Sequence, residues 1–114
     1  MVSDVESSRK EYRGRLEIVR DILSVVGDGC RKTHIMYRAN LSYKLLKNYL
    51  EYVSKAGLVE FDGEAFYSIT EKGRRFLDLY ENYEEMYREV NERVNCLEEG
   101  RRRLEEMLLI RESS

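Results

Sequence analysis

Three patterns in the sequence predict a mainly α-helical protein with one small β-hairpin. Apolar residues recur every three or four positions before residue 57 and again after residue 70, as they do in amphipathic helices. Between these regions, two short alternating segments flank Asp62-Gly63, a dipeptide typical of hairpin turns. The chain has 114 residues, of which 42% are hydrophobic, so it is long enough for one folded domain and an extension.

Two helices are predicted first, over residues 8–26 and 32–39. The sequence Gly27-Asp28-Gly29 ends the first helix, and Thr33 is a candidate cap near the start of the second. The apolar face of the first helix consists of Leu16, Val19, Ile22, Leu23 and Val26. The buried face of the second is predicted to comprise Ile35, Met36 and Ala39.

Asn40, Leu41 and Ser42 predict a tight turn between the second and third helices. Asn tolerates the left-handed backbone conformation, Leu41 can fill the space between two helices, and Ser42 can cap the helix that follows. Such a turn holds the third helix at a steep angle to the second. Residues 32–43 are therefore predicted to form the centre of a helix-turn-helix.

The third helix is predicted over residues 42–56, with Gly57 as its left-handed cap. With a rotation of about 100° per residue, its side chains separate onto two faces. The packing face is predicted to comprise Leu45, Leu46, Tyr49, Leu50, Val53 and Ala56. The outward face is predicted to comprise Tyr43, Lys44, Lys47, Asn48, Glu51, Tyr52 and Lys55.

Two strands are predicted after the third helix, over residues 58–61 and 65–69, joined by Asp62-Gly63-Glu64. Three helices, a hairpin and a further helix follow one another in the order of a winged helix, with the hairpin as the wing. We expect this winged domain to span residues 8–72.

From Thr70, a predicted cap, the pattern is helical to about residue 110. A continuous helix of this length would be about 60 Å long and could not bury its own apolar seam. We therefore expect a homodimer formed through residues 73–110. The sequence leaves open whether the helix continues past Gly100 and whether two copies pair in parallel or antiparallel. The seam comprises Tyr80, Tyr83, Tyr87, Val90, Val94, Leu97, Leu104 and Leu108, with Arg101 as its one interruption.

The charge of the chain is unevenly distributed. The net charge of −2 argues against coating of nucleic acid by bulk electrostatics. Residues 30–60, however, carry six Lys or Arg against two Glu. This concentration predicts that the helix-turn-helix binds double-stranded DNA, with the third helix in the major groove, although a solvated surface is the alternative. The residues expected to contact DNA are Arg31, Lys32, Thr33, Arg38, Ser42, Tyr43, Lys44, Lys47 and Asn48.

Other classes of function have little support in the sequence. His34 and Cys30 do not supply the three or four ligands of a metal site, and no nucleophile–base pair or phosphate loop is evident. We expect no enzyme activity, metal or cofactor. Cys30 and Cys96 are expected to be free thiols. Without a signal peptide or membrane span, the protein is expected in the cytoplasm, associated with the nucleoid.

Three stretches of the chain are similar to a known family. They are Lys32-Thr-x-Ile-Met-Tyr-x-Ala-Asn-Leu-Ser-Tyr43, the third-helix pattern ending at Gly57-Leu58, and Tyr67-x-Ile-Thr-x-Lys-Gly73. In these the chain resembles the small archaeal winged-helix DNA-binding proteins of the Sulfolobus ten-kilodalton type. The resemblance implies two DNA-binding heads on an antiparallel C-terminal coiled coil.

Three roles remain open after this resemblance. The wing tip Asp62-Gly63-Glu64 is acidic where a wing that grips phosphate would carry Lys or Arg. This departure favours a transcriptional regulator with a preferred site over a protein that organises the chromosome without sequence preference. The third possibility is a protein interaction module that uses a winged helix without DNA contact.

Overall fold

The computed structural model describes residues 13–109, which form four helices and a three-stranded antiparallel sheet. The helices are α1 (Arg15–Val26), α2 (Lys32–Arg38), α3 (Tyr43–Lys55) and α4 (Glu71–Glu106). The strands are β1 (Cys30–Arg31), β2 (Val59–Phe61) and β3 (Phe66–Ile69), and β3 lies between the other two. The predicted fold class is confirmed, since a helix-turn-helix is followed by a hairpin wing and a long C-terminal helix.

The turn between α2 and α3 forms as the sequence predicts. Asn40 adopts a left-handed conformation with φ of 56°, and Leu41 is buried. The backbone N–H of Leu45 donates a hydrogen bond of 3.2 Å to Oγ of Ser42, which caps α3. Thr70 caps α4 in the same way, because its Oγ1 accepts a hydrogen bond of 3.0 Å from the N–H of Gly73.

Two predictions of helix ends in the N-terminal half are wrong, and one strand was not predicted. Helix α1 begins at Arg15, because Gly14 is extended with ψ of 177°; the predicted residues 8–12 lie outside the described part of the chain. Thr33 does not cap α2, since the N-cap is Arg31 and no side chain caps this end. Strand β1 was not expected, because its two residues are too few to show a pattern; it exists by pairing with β3.

The hydrophobic core lies where the first three helices meet the sheet. The predicted packing face of α3 is confirmed except for Leu45, which is 37% exposed. Leu16, expected on the apolar face of α1, is also exposed. The largest fully buried side chains are Ile22, Leu23, Val26, Ile35, Leu46 and Val53.

The first three turns of α4 pack against the winged domain. Phe76 and Leu77 contact the core, and Tyr80 is only 5% exposed. The Tyr80 hydroxyl donates a hydrogen bond of 3.1 Å to Glu17, and the guanidinium of Arg20 lies 5.0 Å from the centre of its ring. Tyr80 therefore differs from the rest of the predicted seam, because its side chain is already buried within its own chain.

The remainder of α4 extends away from the domain. The helix has 36 residues and passes through Gly100 without a break, and it ends at Glu106 rather than at the predicted residue 110. The molecule consequently measures 80 Å along its longest axis. Seam residues such as Val90 and Leu97 are 58% and 73% exposed, so this part of the helix presents an apolar stripe to solvent.

Candidate nucleic-acid interface

The outward face of α3 is a solvent-exposed surface with mixed cationic and aromatic character. All seven side chains predicted for it are exposed. Ser42 lies at the start of this face, where its hydroxyl is engaged in the cap. Three lysines, an asparagine and two tyrosines stand beside a single glutamate, which gives the face a net positive charge.

A cleft lies between this face, the start of α2 and strand β3. It has a volume of about 240 Å³, and we call it the α3 cleft. Lys32 and Lys47 are the two cationic residues that line it. Nζ of Lys32 lies 3.4 Å from the Tyr43 hydroxyl and 4.7 Å from the centre of that ring, which joins the first residues of α2 and α3. The complete lining is Lys32, Lys47, Asn48, Leu50, Glu51, Ser54 and Tyr67.

The other predicted contact residues lie outside the lining of this cleft. Thr33, Arg38 and Lys44 are exposed but do not line it. Arg31 lies on the outer face of the sheet, where its guanidinium is 5.0 Å from the centre of the Phe66 ring. The structure thus brings Lys32, Tyr43, Lys47 and Asn48 together, and it separates Arg31 from them.

Cys30 is buried beneath the helix-turn-helix. Burial raises the pKa of its thiol, and the nearby charge of Arg38 only partly opposes this effect. A thiol with a raised pKa is a poor nucleophile. Cys30 and Cys96 are both free, as predicted.

The turn of the helix-turn-helix is held in place by Arg13, which sequence reasoning did not identify. Its Nη1 donates hydrogen bonds of 2.7 Å to Asp21 and to the carbonyl oxygen of Ala39. Its Nη2 donates a hydrogen bond of 2.6 Å to the carbonyl oxygen of Asn40. One guanidinium therefore satisfies the carbonyl groups left free at the end of α2 and ties the turn to α1. No local sequence signal marks this role, since its partners lie 26 and 27 positions away.

The acidic wing tip has a structural explanation. Oδ1 of Asp62 accepts hydrogen bonds from the backbone N–H groups of Glu64, Ala65 and Phe66, at 2.8, 2.9 and 3.1 Å. These three N–H groups hold the pKa of the Asp62 carboxyl below its usual value. Asp62 therefore closes the hairpin, and its charge is balanced by backbone dipoles.

The model of the winged helix-turn-helix family matches residues 12–88 of this chain. The chain belongs to the winged helix-turn-helix family. An uncharacterised protein of Methanocaldococcus jannaschii is 32% identical over 81 residues, which cover 69% of this chain and 82% of that protein. In the present chain, no helix within residues 13–109 is long and apolar enough to cross a membrane.

Solved structures with the same fold include Sso10a-2, a DNA-binding protein from Sulfolobus solfataricus. It is 25% identical with a TM-score of 0.60, and the match covers 87% of this chain and all 100% of that one. The sequence-based resemblance to the Sulfolobus ten-kilodalton type is thereby confirmed. BpsR of Bordetella bronchiseptica, whose DNA binding is regulated by 6-hydroxynicotinic acid, is 13% identical with a TM-score of 0.55. That match covers 77% of this chain and 73% of BpsR, and at this identity it shows a common fold only.

Proposed function

We propose that this protein is a homodimeric, DNA-binding transcriptional regulator that places α3 in the major groove of duplex DNA. The observation that carries the proposal is the exposed cationic face of α3 beside the α3 cleft, in a chain of the winged helix-turn-helix family. Its similarity over most of its length to a DNA-binding protein supports the same function.

The chemistry of the face fits a duplex. Lys44 and Lys47 stand on α3 where long cationic side chains reach phosphates or guanine edges. Asn48 lies between them and Tyr52, and a side-chain amide can pair with N6 and N7 of adenine. Lys32 sits at the edge of the α3 cleft, where it can neutralise a backbone phosphate. Helix α2 and the wing then lie against the DNA backbone.

The exposed part of α4 supplies the dimer contact. Its aliphatic seam residues Val90, Leu97 and Leu104 are 58%, 73% and 67% exposed, and such an apolar stripe on an isolated helix is a typical coiled-coil surface. Tyr80 is not part of this surface, because its side chain is buried within its own chain. The dimerisation segment therefore begins after Tyr80. The proposed interface residues on α4 are Tyr83, Tyr87, Val90, Val94, Leu97 and Leu104, and Leu108 follows just after the helix ends.

The position of Arg101 favours antiparallel pairing. In a parallel pair, the two Arg101 side chains would meet in the apolar seam, where two like charges repel. The spacing of the seam is symmetric about a point between Val94 and Leu97. An antiparallel pair centred there would set Arg101 opposite Val90 and keep the two cations apart.

The experiment that tests DNA binding is a double charge reversal, Lys44→Glu with Lys47→Glu. We expect affinity for a labelled random duplex at low salt to fall by at least about a hundredfold, because two attractive phosphate contacts become repulsive. The matched control is Arg75→Glu with Arg88→Glu, which changes the net charge equally on exposed positions of α4 outside the seam. An equal loss of affinity in both variants would mean that the total charge of the protein, and not the face of α3, determines binding. Full binding by the α3 variant would contradict the proposal and favour the interaction module.

A further inference from the structure

We propose that Phe61 makes an apolar contact with duplex DNA, so that the wing grips the minor groove beside α3 with an aromatic ring rather than with a cation. This inference rests on the proposed function, and it assigns both a residue and a type of chemistry to the wing.

The register of the sheet places Phe61 on the face that turns toward α3. Phe61 pairs with Tyr67, and residues paired across antiparallel strands project to the same face. Tyr67 packs against the core on this face. Successive residues of a strand project to opposite faces, so Phe66 lies on the outer face, where it pairs with Arg31. The two wing phenylalanines therefore point in opposite directions.

Phe61 continues the surface of the α3 cleft. The Tyr67 ring lines the cleft together with Lys47 and Asn48 of α3. The centre of the Phe61 ring lies 4.6 Å from the centre of the Tyr67 ring. A duplex seated on the outward face of α3 and against Tyr67 would therefore come within reach of Phe61. Phe61 is 48% exposed, so half of the ring is available to such a partner.

This wing cannot bind DNA through cationic side chains. Residues 58–69 contain no Lys or Arg. The segment has three acidic residues: Asp62 is bound by three backbone N–H groups, Glu60 pairs with Ser68 on the outer face, and Glu64 lies in the turn beyond the paired strands. The side that turns toward α3 is thus left with an exposed aromatic ring. Apolar side chains are known to pack against sugars and between base steps in the minor groove.

Phe66 provides a matched control. It is 43% exposed, close to the value for Phe61, and it belongs to the same hairpin. Its ring is covered on the outer face by the guanidinium of Arg31 at 5.0 Å, away from the α3 cleft. The two residues therefore differ mainly in the side of the wing on which they lie.

The test compares Phe61→Ala and Phe66→Ala in the full chain, by fluorescence anisotropy with a labelled duplex across a salt series. We expect Phe61→Ala to weaken binding about tenfold, because the apolar surface of the ring loses its contact with the DNA. The slope of log affinity against log salt should not change, because no phosphate contact is lost. Phe66→Ala should bind within about twofold of the wild type, because it makes no DNA contact.

The contradicting results are distinct. Equal affinities for Phe61→Ala and the wild type would overturn the inference while leaving the proposed function intact. Equal losses of affinity in both alanine variants would mean that Phe61 acts only by stabilising the hairpin, and would overturn the inference. A salt slope lowered by about one ion would mean an electrostatic contact instead. If Phe61→Ala unfolds, Phe61→Leu replaces it, and unchanged affinity in that folded variant would also overturn the inference. Absence of wild-type binding would overturn the proposed function itself.

Discussion

The guanidinium of Arg13 donates a hydrogen bond of 2.6 Å to the carbonyl oxygen of Asn40, the residue with left-handed backbone in the helix-turn-helix. The same side chain binds the carbonyl oxygen of Ala39 and the carboxylate of Asp21, each at 2.7 Å. Asp21 also accepts a hydrogen bond of 2.7 Å from Arg20, whose Nη1 lies 3.7 Å from Glu84 of α4. A chain of charged groups therefore connects the long helix, α1 and the turn that precedes α3.

Arg13→Met should destabilise the protein by about 1–2 kcal/mol, because two carbonyl groups and Asp21 lose a charged donor at a partly exposed site. Urea-induced unfolding measures this change. The matched control is Arg74→Met, whose ion pair with Asp28 is far more exposed, with side chains 60% and 94% accessible. That variant should lie within about 0.5 kcal/mol of the wild type. Equal losses in the two variants would contradict the role of Arg13.

Two glycines of α4 should respond to alanine in opposite directions. A Cβ at Gly73 would collide with the carbonyl oxygen of Leu58 and would lie 2.6 Å from the side chain of Ile69. Gly73→Ala should therefore destabilise the protein by about 2 kcal/mol or more. A Cβ at Gly100 would meet nothing within 4 Å, so Gly100→Ala should stabilise the helix by about 1 kcal/mol. Thermal unfolding of both variants checks the pair. An unchanged or higher melting temperature for Gly73→Ala would contradict the packing described at Gly73, and a lower one for Gly100→Ala would contradict the open position of Gly100.

Stability should depend on pH through Asp62. Its pKa in the folded state is below the ordinary value of 3.8, because three backbone N–H groups stabilise the carboxylate. The stabilisation is therefore complete above the unfolded pKa, and it is lost as the pH falls through the folded pKa. Asp62→Asn keeps an oxygen acceptor but removes the charge. The free-energy difference between wild type and variant, from urea unfolding, should shrink below about pH 4. A constant difference across the pH series would contradict this account.

Leu97→Asp should convert the dimer to a monomer, because it places a charge within the apolar seam. Affinity for DNA should fall as well, since a monomer loses the second head and its bivalency. The matched control is Cys96→Asp, which adds the same group at an exposed neighbouring position outside the seam and should remain dimeric. Multi-angle light scattering separates the two outcomes. An unchanged dimer in Leu97→Asp would exclude the seam as the interface.

Local signals in the sequence predicted most of the architecture. Asn40, Ser42, Gly57 and Thr70 each need only their own neighbours to form a turn or a cap, and the structure confirms all four. The outward face of α3 was likewise readable, because helical geometry sorts side chains by spacing alone.

Features that depend on tertiary contacts were not readable. Strand β1 exists only because Cys30 and Arg31 pair with β3. The role of Arg13 depends on the carbonyl groups of Ala39 and Asn40, which lie 26 and 27 positions away in the sequence. Tyr80 continues the heptad spacing, yet it packs on α1 because the first turns of α4 belong to the core. The contact residues themselves stay predictions, since spacing does not reveal which exposed side chains touch DNA.

The central claim is that this protein binds duplex DNA, and the most direct test is wild-type binding to a labelled random duplex across a salt series. Fluorescence anisotropy should report binding at low salt, with log affinity falling linearly against log salt at a slope of several ion equivalents, because each neutralised phosphate releases counterions. No binding at low salt, in a sample that light scattering shows to be an intact dimer, would contradict the account.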